Sequence, residues 1–245
     1  METAGAGAGA AAGPGLGAPG LIQATTRLTP VPLVPEIQLH LAAEPIEVWQ
    51  HTEHALGRTG LPPPYWAFAW PGGQALGRYV LDHPGAVAGK RVVDLASGSG
   101  LVAIAAVMAG AAAVAAYDVD PLAVAAIAVN AAANGVSVTG ICADILDPDG
   151  PRSACPAPAL RARPRSAPAD LVLVADAFYQ RELAARVMGF LDGARAAGAG
   201  VLAADLGRAY LPMARLTALM AYDVPGLAAI EDHDVRTTTI WALRR

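Results

Sequence analysis

The segment Arg91-Val-Val-Asp-Leu-Ala-Ser-Gly-Ser-Gly-Leu101 restricts this chain more than any other. A β-branched run ends in Asp94, turns through small side chains at Ser97, Gly98 and Gly100, and enters the helix-like stretch Leu101 to Ala109. Strand, tight turn and helix start bring free backbone N–H groups to one place, where they can meet a ligand. A second apolar run, Ala113 to Tyr117, ends in Asp118. An acid about 20 residues after a glycine-rich turn is placed to hold ribose hydroxyls. A nucleoside-containing cofactor is therefore expected, and the spacing favours S-adenosylmethionine over a dinucleotide.

The rest of the chain repeats the pattern. Val136 to Cys142, Asp170 to Val174, Gly200 to Ala204 and Asp234 to Leu243 read as strands, and Arg181 to Ala196 and Leu211 to Met220 as helices. Asp120-Pro121 opens a helix that Asn134-Gly135 closes, with an acidic cap and a proline in the first turn. Upstream, prolines between Leu28 and Leu41 force extended chain at a sheet edge or over the core. Pro45 to Gly57 and Gln74 to Leu81 read as helices around the stiff connector Leu61-Pro-Pro-Pro64. The Pro- and Arg-rich stretch from Asp147 to Ala169 reads as a mobile inserted loop. Alternating strand and helix predict one α/β domain: a mostly parallel sheet with helices on both faces and its ligand at the carboxyl ends of the strands. Residues 1–20, almost all Ala, Gly and Pro, read as a disordered tail. Residues 21–80 then form an extension and cap, and residues 90–245 the core.

Composition narrows the function. The net charge of −4 argues against a surface built to grip nucleic acid. The apolar stretch from Leu101 to Ala116 is broken by Gly110 and reads as a buried helix and strand, not a membrane span. Cys142 and Cys155 suggest neither a disulfide framework nor a metal cluster, which suits a cytoplasmic protein. His51-Thr-Glu-His54 has the wrong spacing for a zinc helix, so no metal is expected. No long apolar stripe is left over, and a monomer is expected.

Four acids fall at predicted strand ends on one edge of the sheet. Asp94 can order the glycine loop or meet a cationic amino group; Asp118 can accept both ribose hydroxyls; Asp144 can accept from an adenine amino group; Asp176 ends the fourth strand. Ser97 and Ala175 join the cofactor-facing set. Trp70, at the turn before Pro71-Gly72-Gly73, can cover the cofactor.

The glycine loop with Asp118 and Asp144 resembles the Rossmann-like, class I S-adenosylmethionine-dependent methyltransferases, which implies a seven-stranded sheet. Four further blocks sharpen the likeness: Tyr65-Trp-Ala-Phe-Ala-Trp-Pro-Gly-Gly-Gln-Ala-Leu76, Asp176-Ala-Phe-Tyr179, Ala204-Asp-Leu-Gly-Arg208 and Thr237-Thr-Thr-Ile-Trp241. They are similar to the protein-lysine methyltransferases that modify the beta subunit of electron transfer flavoprotein, within the Asp-x-x-Tyr group. The resemblance runs from about Pro35 to Trp241. It implies catalytic roles for Asp176 and Tyr179, a substrate entrance formed by Phe178, Asp205 and Arg208, and a protein substrate. Ala96 stands where the family has glycine. Asp205-Leu206-Gly207-Arg208 replaces Asp-Pro-Gly-Arg, which keeps the acid and the arginine and is expected to relax the turn.

On this reading Asp176 captures and aims an amine, and Tyr179 and Phe178 wall the channel that desolvates it. Bulk water takes the proton. Three rivals share these residues: a small-molecule N-methyltransferase acting on a nicotinamide-like amine, a cofactor-binding protein without activity, and a dinucleotide enzyme. The last is disfavoured only weakly by Ala103 at the final position of Gly98-Ser-Gly100-Leu-Val-Ala103.

Overall fold

The computed structural model describes residues 17–147, 169–225 and 235–244. Helix α1 (Ala18–Thr25) leads into a separate hairpin of β1 (Arg27–Val31) and β2 (Val34–Leu41), then α2 (Pro45–Leu56) and α3 (Pro71–Asp82). The core follows as β3 (Arg91–Leu95), α4 (Leu101–Met108), β4 (Ala113–Asp118), α5 (Pro121–Ala133), β5 (Thr139–Cys142), β6 (Leu171–Ala175), α6 (Arg181–Ala196), β7 (Gly200–Asp205), β8 (Leu216–Pro225) and β9 (Val235–Leu243). The seven core strands lie in the order β5-β4-β3-β6-β7-β9-β8. Strands β3 to β7 are parallel, and β9 runs antiparallel to both β7 and β8. The mostly parallel seven-stranded sheet matches the expectation.

The chemistry of β3 shows why this sheet is buried. Val92 packs into one apolar layer with residues of α3, α4 and α5, and its neighbour Val93 packs into the opposite layer with residues of α6. Successive side chains point to opposite faces, so a strand covered on both sides must be apolar throughout. Chain order steps from β3 to β4 on one side and resumes with β6 on the other. That reversal opens a crevice beyond the carboxyl end of β3.

The N-terminal hairpin lies over the core, as one of the two expected placements had it, and two asparagines, Asn130 on α5 and Asn134 at its C-cap, hold it there. Asn130 Oδ1 accepts the His40 N–H at 2.8 Å, and its Nδ2 donates to the Ser99 carbonyl at 2.8 Å. One turn on, Asn134 Oδ1 accepts the Gln38 N–H at 2.9 Å and Nδ2 returns to the Gln38 carbonyl. Asn130 is fully buried, so a single amide joins the extension to the glycine loop.

Three expectations need correction. Leu211 to Met220 is not a helix: a 3-10 turn at Met213–Arg215 gives way to β8. Its Ala, Leu and Met suit a helix, but pairing with the β-branched run of β9 overrides local propensity. The expected tail ends sooner, because α1 starts at Ala18, with Pro19 in its first turn and Leu21 and Ile22 buried; residues 1–16 lie outside the described residues. Cys142 is disulfide-bonded; Cys155, and nearly all of the expected mobile loop from 147 to 169, also lie outside them.

Replacing Asn130 by alanine should lower the unfolding free energy by about 2–4 kcal/mol, because the His40 N–H and the Ser99 carbonyl both lose their partner. Urea unfolding measures this; a loss below about 1 kcal/mol would mean that water replaces the amide.

Candidate active site

Beyond the carboxyl ends of β3, β4 and β6 lies a cavity of about 740 Å³, within the range of sites for cofactors of several hundred daltons. Its floor is the glycine loop. Asp94, buried at the end of β3, accepts the Ser97 hydroxyl at 2.5 Å and the Ala103 N–H at 3.1 Å on one oxygen. It thus performs the first of its two expected tasks, ordering the loop, and takes an N–H in the first turn of α4. Ala96 and Gly98 both have left-handed backbones, with φ of 55° and 54°. A Cβ at Gly98 would meet nothing within 4 Å, since that side of the loop opens on the cavity. Gly100 serves packing instead: a Cβ there would sit 3.2 Å from the Ile127 Cα.

Asp118 ends β4. Its Oδ2 accepts the Gly98 N–H at 2.9 Å and its Oδ1 the Asp120 N–H at 3.0 Å. Val119 adds a third backbone hydrogen bond, and the carboxylate, which lines the cavity, keeps acceptor capacity for a ligand hydroxyl. Asp144 also lines the cavity, but its carboxylate accepts the Leu146 N–H at 3.0 Å and pairs with Arg186 on α6 at 2.6 Å. Arg186 was not anticipated, because nothing in α6 marks it as the partner of an acid 42 positions earlier.

The opposite wall is built around Asp176, a non-glycine residue with φ of 56°. Its Oδ2 accepts the Gly73 N–H at 3.0 Å, in the first turn of α3, and its Oδ1 accepts Arg208 Nη1 at 2.6 Å. Gly72 is a spatial requirement: a Cβ there would lie 2.5 Å from Asp176 Oδ2 and 2.9 Å from the Ala204 carbonyl. The Trp-Pro-Gly-Gly block thus makes room for the Asp-Ala-Phe-Tyr block.

Tyr179, Tyr65 and Trp70 rim the opening. Tyr65 lies 5.8 Å from Trp70 and 6.3 Å from Tyr179, centroid to centroid, and Trp70 Nε1 donates to the Tyr65 carbonyl at 2.8 Å. Ala175 and Ser97 line the cavity as expected. Phe178 and Asp205 do not. Phe178 is fully buried in the α6-side layer because the turn at Asp176 directs it beneath the sheet. Asp205 is fully buried below Arg208, and its Oδ1 accepts the Gly207 N–H at 2.8 Å and the Arg208 N–H at 2.7 Å. That carboxylate makes the turn itself.

Burial raises the pKa of Asp94 to about 7, against the hydrogen bonds from Ser97 and Ala103. Asp118 and Asp120 shift upward for the same reason. Asp176 is raised by burial too, although Arg208 opposes the shift. The cavity is lined by five carboxylates and two guanidinium groups. Such a lining suits a cation and repels a pyrophosphate. At the N-terminus of α4, where a dinucleotide phosphate would sit, Asp94 takes the Ala103 N–H. The donor set therefore fits S-adenosylmethionine: Asp118 and the glycine loop would hold its nucleoside, and Trp70, Ala175 and Asp176 flank its other end. No helix among the described residues is long and apolar enough to cross a membrane, and no group of three potential metal ligands occurs among them.

Fold and cavity together define a class I S-adenosylmethionine-dependent methyltransferase. Residues 76–150 match the family model described as ribosomal protein L11 methyltransferase (PrmA). The chain is 36% identical over 218 residues to the electron transfer flavoprotein beta subunit lysine methyltransferase of Rattus norvegicus, covering 85% of this chain and 77% of that protein. It is 35% identical over 222 residues to the protein of the same name from Xenopus laevis, covering 89% and 83%. A solved ribosomal protein L11 methylase from Lactobacillus delbrueckii subsp. bulgaricus aligns at 18% identity and a TM-score of 0.46, covering 69% of this chain and 77% of that one. The chain belongs to the electron transfer flavoprotein beta subunit lysine methyltransferase family.

The raised pKa of Asp94 has a consequence for stability. Between its ordinary value of 3.8 and about 7, the folded chain keeps a proton on Asp94 that the unfolded chain has released. Its contribution to the unfolding free energy therefore falls as pH rises through that window. Relative to wild type, Asp94→Asn should gain stability steadily from about pH 4 to about pH 7 and level off above it. Urea unfolding across that range tests the sign; a difference independent of pH would show that Asp94 is ionised throughout.

Proposed function

We propose that this protein is an S-adenosylmethionine-dependent protein-lysine N-methyltransferase acting on the beta subunit of electron transfer flavoprotein or a closely similar protein. The observation that carries the reading is that Asp176 and an exposed Tyr179 line the same cavity as Asp118 and the glycine loop. When bound, the cofactor supplies a methyl group made electrophilic by its sulfonium. The chain has to hold a neutral amine in line with it.

Neutrality is the main obstacle. Deprotonating a lysine of ordinary pKa at pH 7 costs about 4.6 kcal/mol. The aromatic rim of Tyr65, Trp70 and Tyr179 reduces this cost by removing water from the amine. Asp176 aims the amine through a hydrogen bond, and the proton leaves to bulk water through the open mouth. Lysine fits the opening because a long, thin alkyl stem can pass between the rings while its parent protein stays outside.

Incubating the purified enzyme with labelled S-adenosylmethionine and recombinant electron transfer flavoprotein beta subunit should add methyl groups to lysine, seen by mass spectrometry of the intact protein. Turnover of free amines such as nicotinamide, with no labelled protein, would replace this reading with the small-molecule one. Asp118→Ala should weaken binding of S-adenosylhomocysteine by about ten- to a hundredfold, or 1.4–2.8 kcal/mol, in titration calorimetry; unchanged affinity would place the ribose elsewhere.

A further inference from the structure

The pairing of Asp176 with Arg208 raises a problem of charge. An isolated carboxylate beside an amine favours the ammonium form, which cannot accept a methyl group. A carboxylate placed to aim the nucleophile would thus also disable it. In this structure the carboxylate is not isolated. Arg208 Nη1 lies 2.6 Å from Asp176 Oδ1 in a largely buried contact, with side-chain exposures of 20% and 12%. Arg208 is itself fixed from below: Asp205, fully buried, accepts its backbone N–H at 2.7 Å and lies 3.4 Å from its Nη1. The guanidinium also lines the cavity, so both members of the pair face the space an amine would enter.

Resting on the protein-lysine reading above, we infer that Arg208 is a positioning residue whose charge cancels that of Asp176, so that the carboxylate aims the amine without holding it as ammonium. The hydrogen bonds fit this division. Asp176 Oδ2 is tied to the Gly73 N–H and Oδ1 to Arg208, and each oxygen keeps acceptor capacity for one further N–H. Arginine suits the task because it stays charged throughout the working pH range. Burial pulls its pKa down, but the charges and hydrogen bonds of Asp176 and Asp205 together outweigh burial and raise it. The other ionisable groups around the opening are Tyr65 and Tyr179 at the rim, Asp205 under Arg208, and Asp94, Asp118 and Asp120 on the cofactor side. Asp144 is already neutralised by Arg186.

The test is the pH profile of single-turnover methyl transfer to the beta subunit, from about pH 6 to about pH 10. The rate should rise to a plateau as the bound amine loses its proton. Arg208→Gln keeps a hydrogen-bond donor but removes the charge. It should move the rise to higher pH by about one unit, which lowers the rate about tenfold on the acid side and little on the plateau. Arg208→Lys should keep the wild-type midpoint. Asp176→Asn should move it to lower pH at a reduced plateau, and the double variant should bring it back. Affinity for S-adenosylhomocysteine, measured on each variant, reports that the cofactor end is intact. A uniform loss of rate in Arg208→Gln with an unmoved midpoint would overturn the inference and leave Arg208 a structural residue. If Arg208→Gln does not fold, an unmoved midpoint in Asp176→Asn has the same force. Failure of the wild type to methylate the protein would instead overturn the protein-lysine reading, and this inference with it.

Discussion

Everything at the working end of this protein depends on how five aspartates at or just beyond the carboxyl ends of the parallel strands are satisfied. A buried carboxylate without hydrogen bonds is expensive, so each is anchored by the chain around it. Asp94 takes Ser97 and Ala103, Asp118 takes Gly98 and Asp120, Asp144 takes Leu146 and Arg186, Asp176 takes Gly73 and Arg208, and Asp205 takes Gly207 and Arg208. The same bonds that make burial tolerable fix the loops, so the acids are staples first and ligand contacts second. Only lone pairs left over after stapling are free for chemistry, and they are most clearly placed on Asp118 and Asp176.

This accounts for what could be read from the residues alone and what could not. The strands β3, β4, β6 and β7 were legible because a strand buried on both faces is a short unbroken apolar run ending in a turn. Helix α5 was legible from its cap and closing glycine. The cofactor end of the site followed from them, since Asp94, Ser97, Gly98 and Asp118 lie within or directly after two such units. Strand β8 was not legible, because its identity is decided by β9, more than ten residues away. The same is true of Arg186 and of the pairing of Arg208 with Asp176, since the acids they meet lie 42 and 32 positions earlier. Phe178 and Asp205 were placed at the entrance on the strength of the family resemblance. Their orientation depends on the left-handed backbone at Asp176 and on a side-chain turn, neither of which has a local sequence signature.

Backbone strain is concentrated at the same edge. Among the described residues the two non-glycine positions with positive φ are Ala96 and Asp176, and both line the cavity. Asp tolerates this conformation through its short polar side chain, while Ala has no such compensation and costs on the order of 1 kcal/mol or more. Ala96 is exposed toward the cavity and its neighbour Ser97 is held by Asp94 and by the Tyr117 carbonyl. Bonds at Ser97 thus fix the turn that holds Ala96 in this conformation.

The division of labour between the two ends of the cavity follows from their polarity. The end lined by the glycine loop carries Asp118 and Asp120, two positions apart, with Asp94 bonded to the same loop, and would favour a ligand that brings positive charge. At the other end Asp176 is offset by Arg208, which Asp205 also contacts from below, and Tyr65, Trp70 and Tyr179 line the same cavity. A uniformly acidic cavity would bind the donor well but keep the acceptor protonated. A uniformly apolar one would leave the acceptor neutral but give the sulfonium no counter-charge. On the proposed reading the sheet resolves the conflict by topology: Asp94 and Asp118 lie at the ends of β3 and β4, on one side of the crevice, and the paired Asp176 follows β6 on the other, next to the strand whose following turn supplies the arginine.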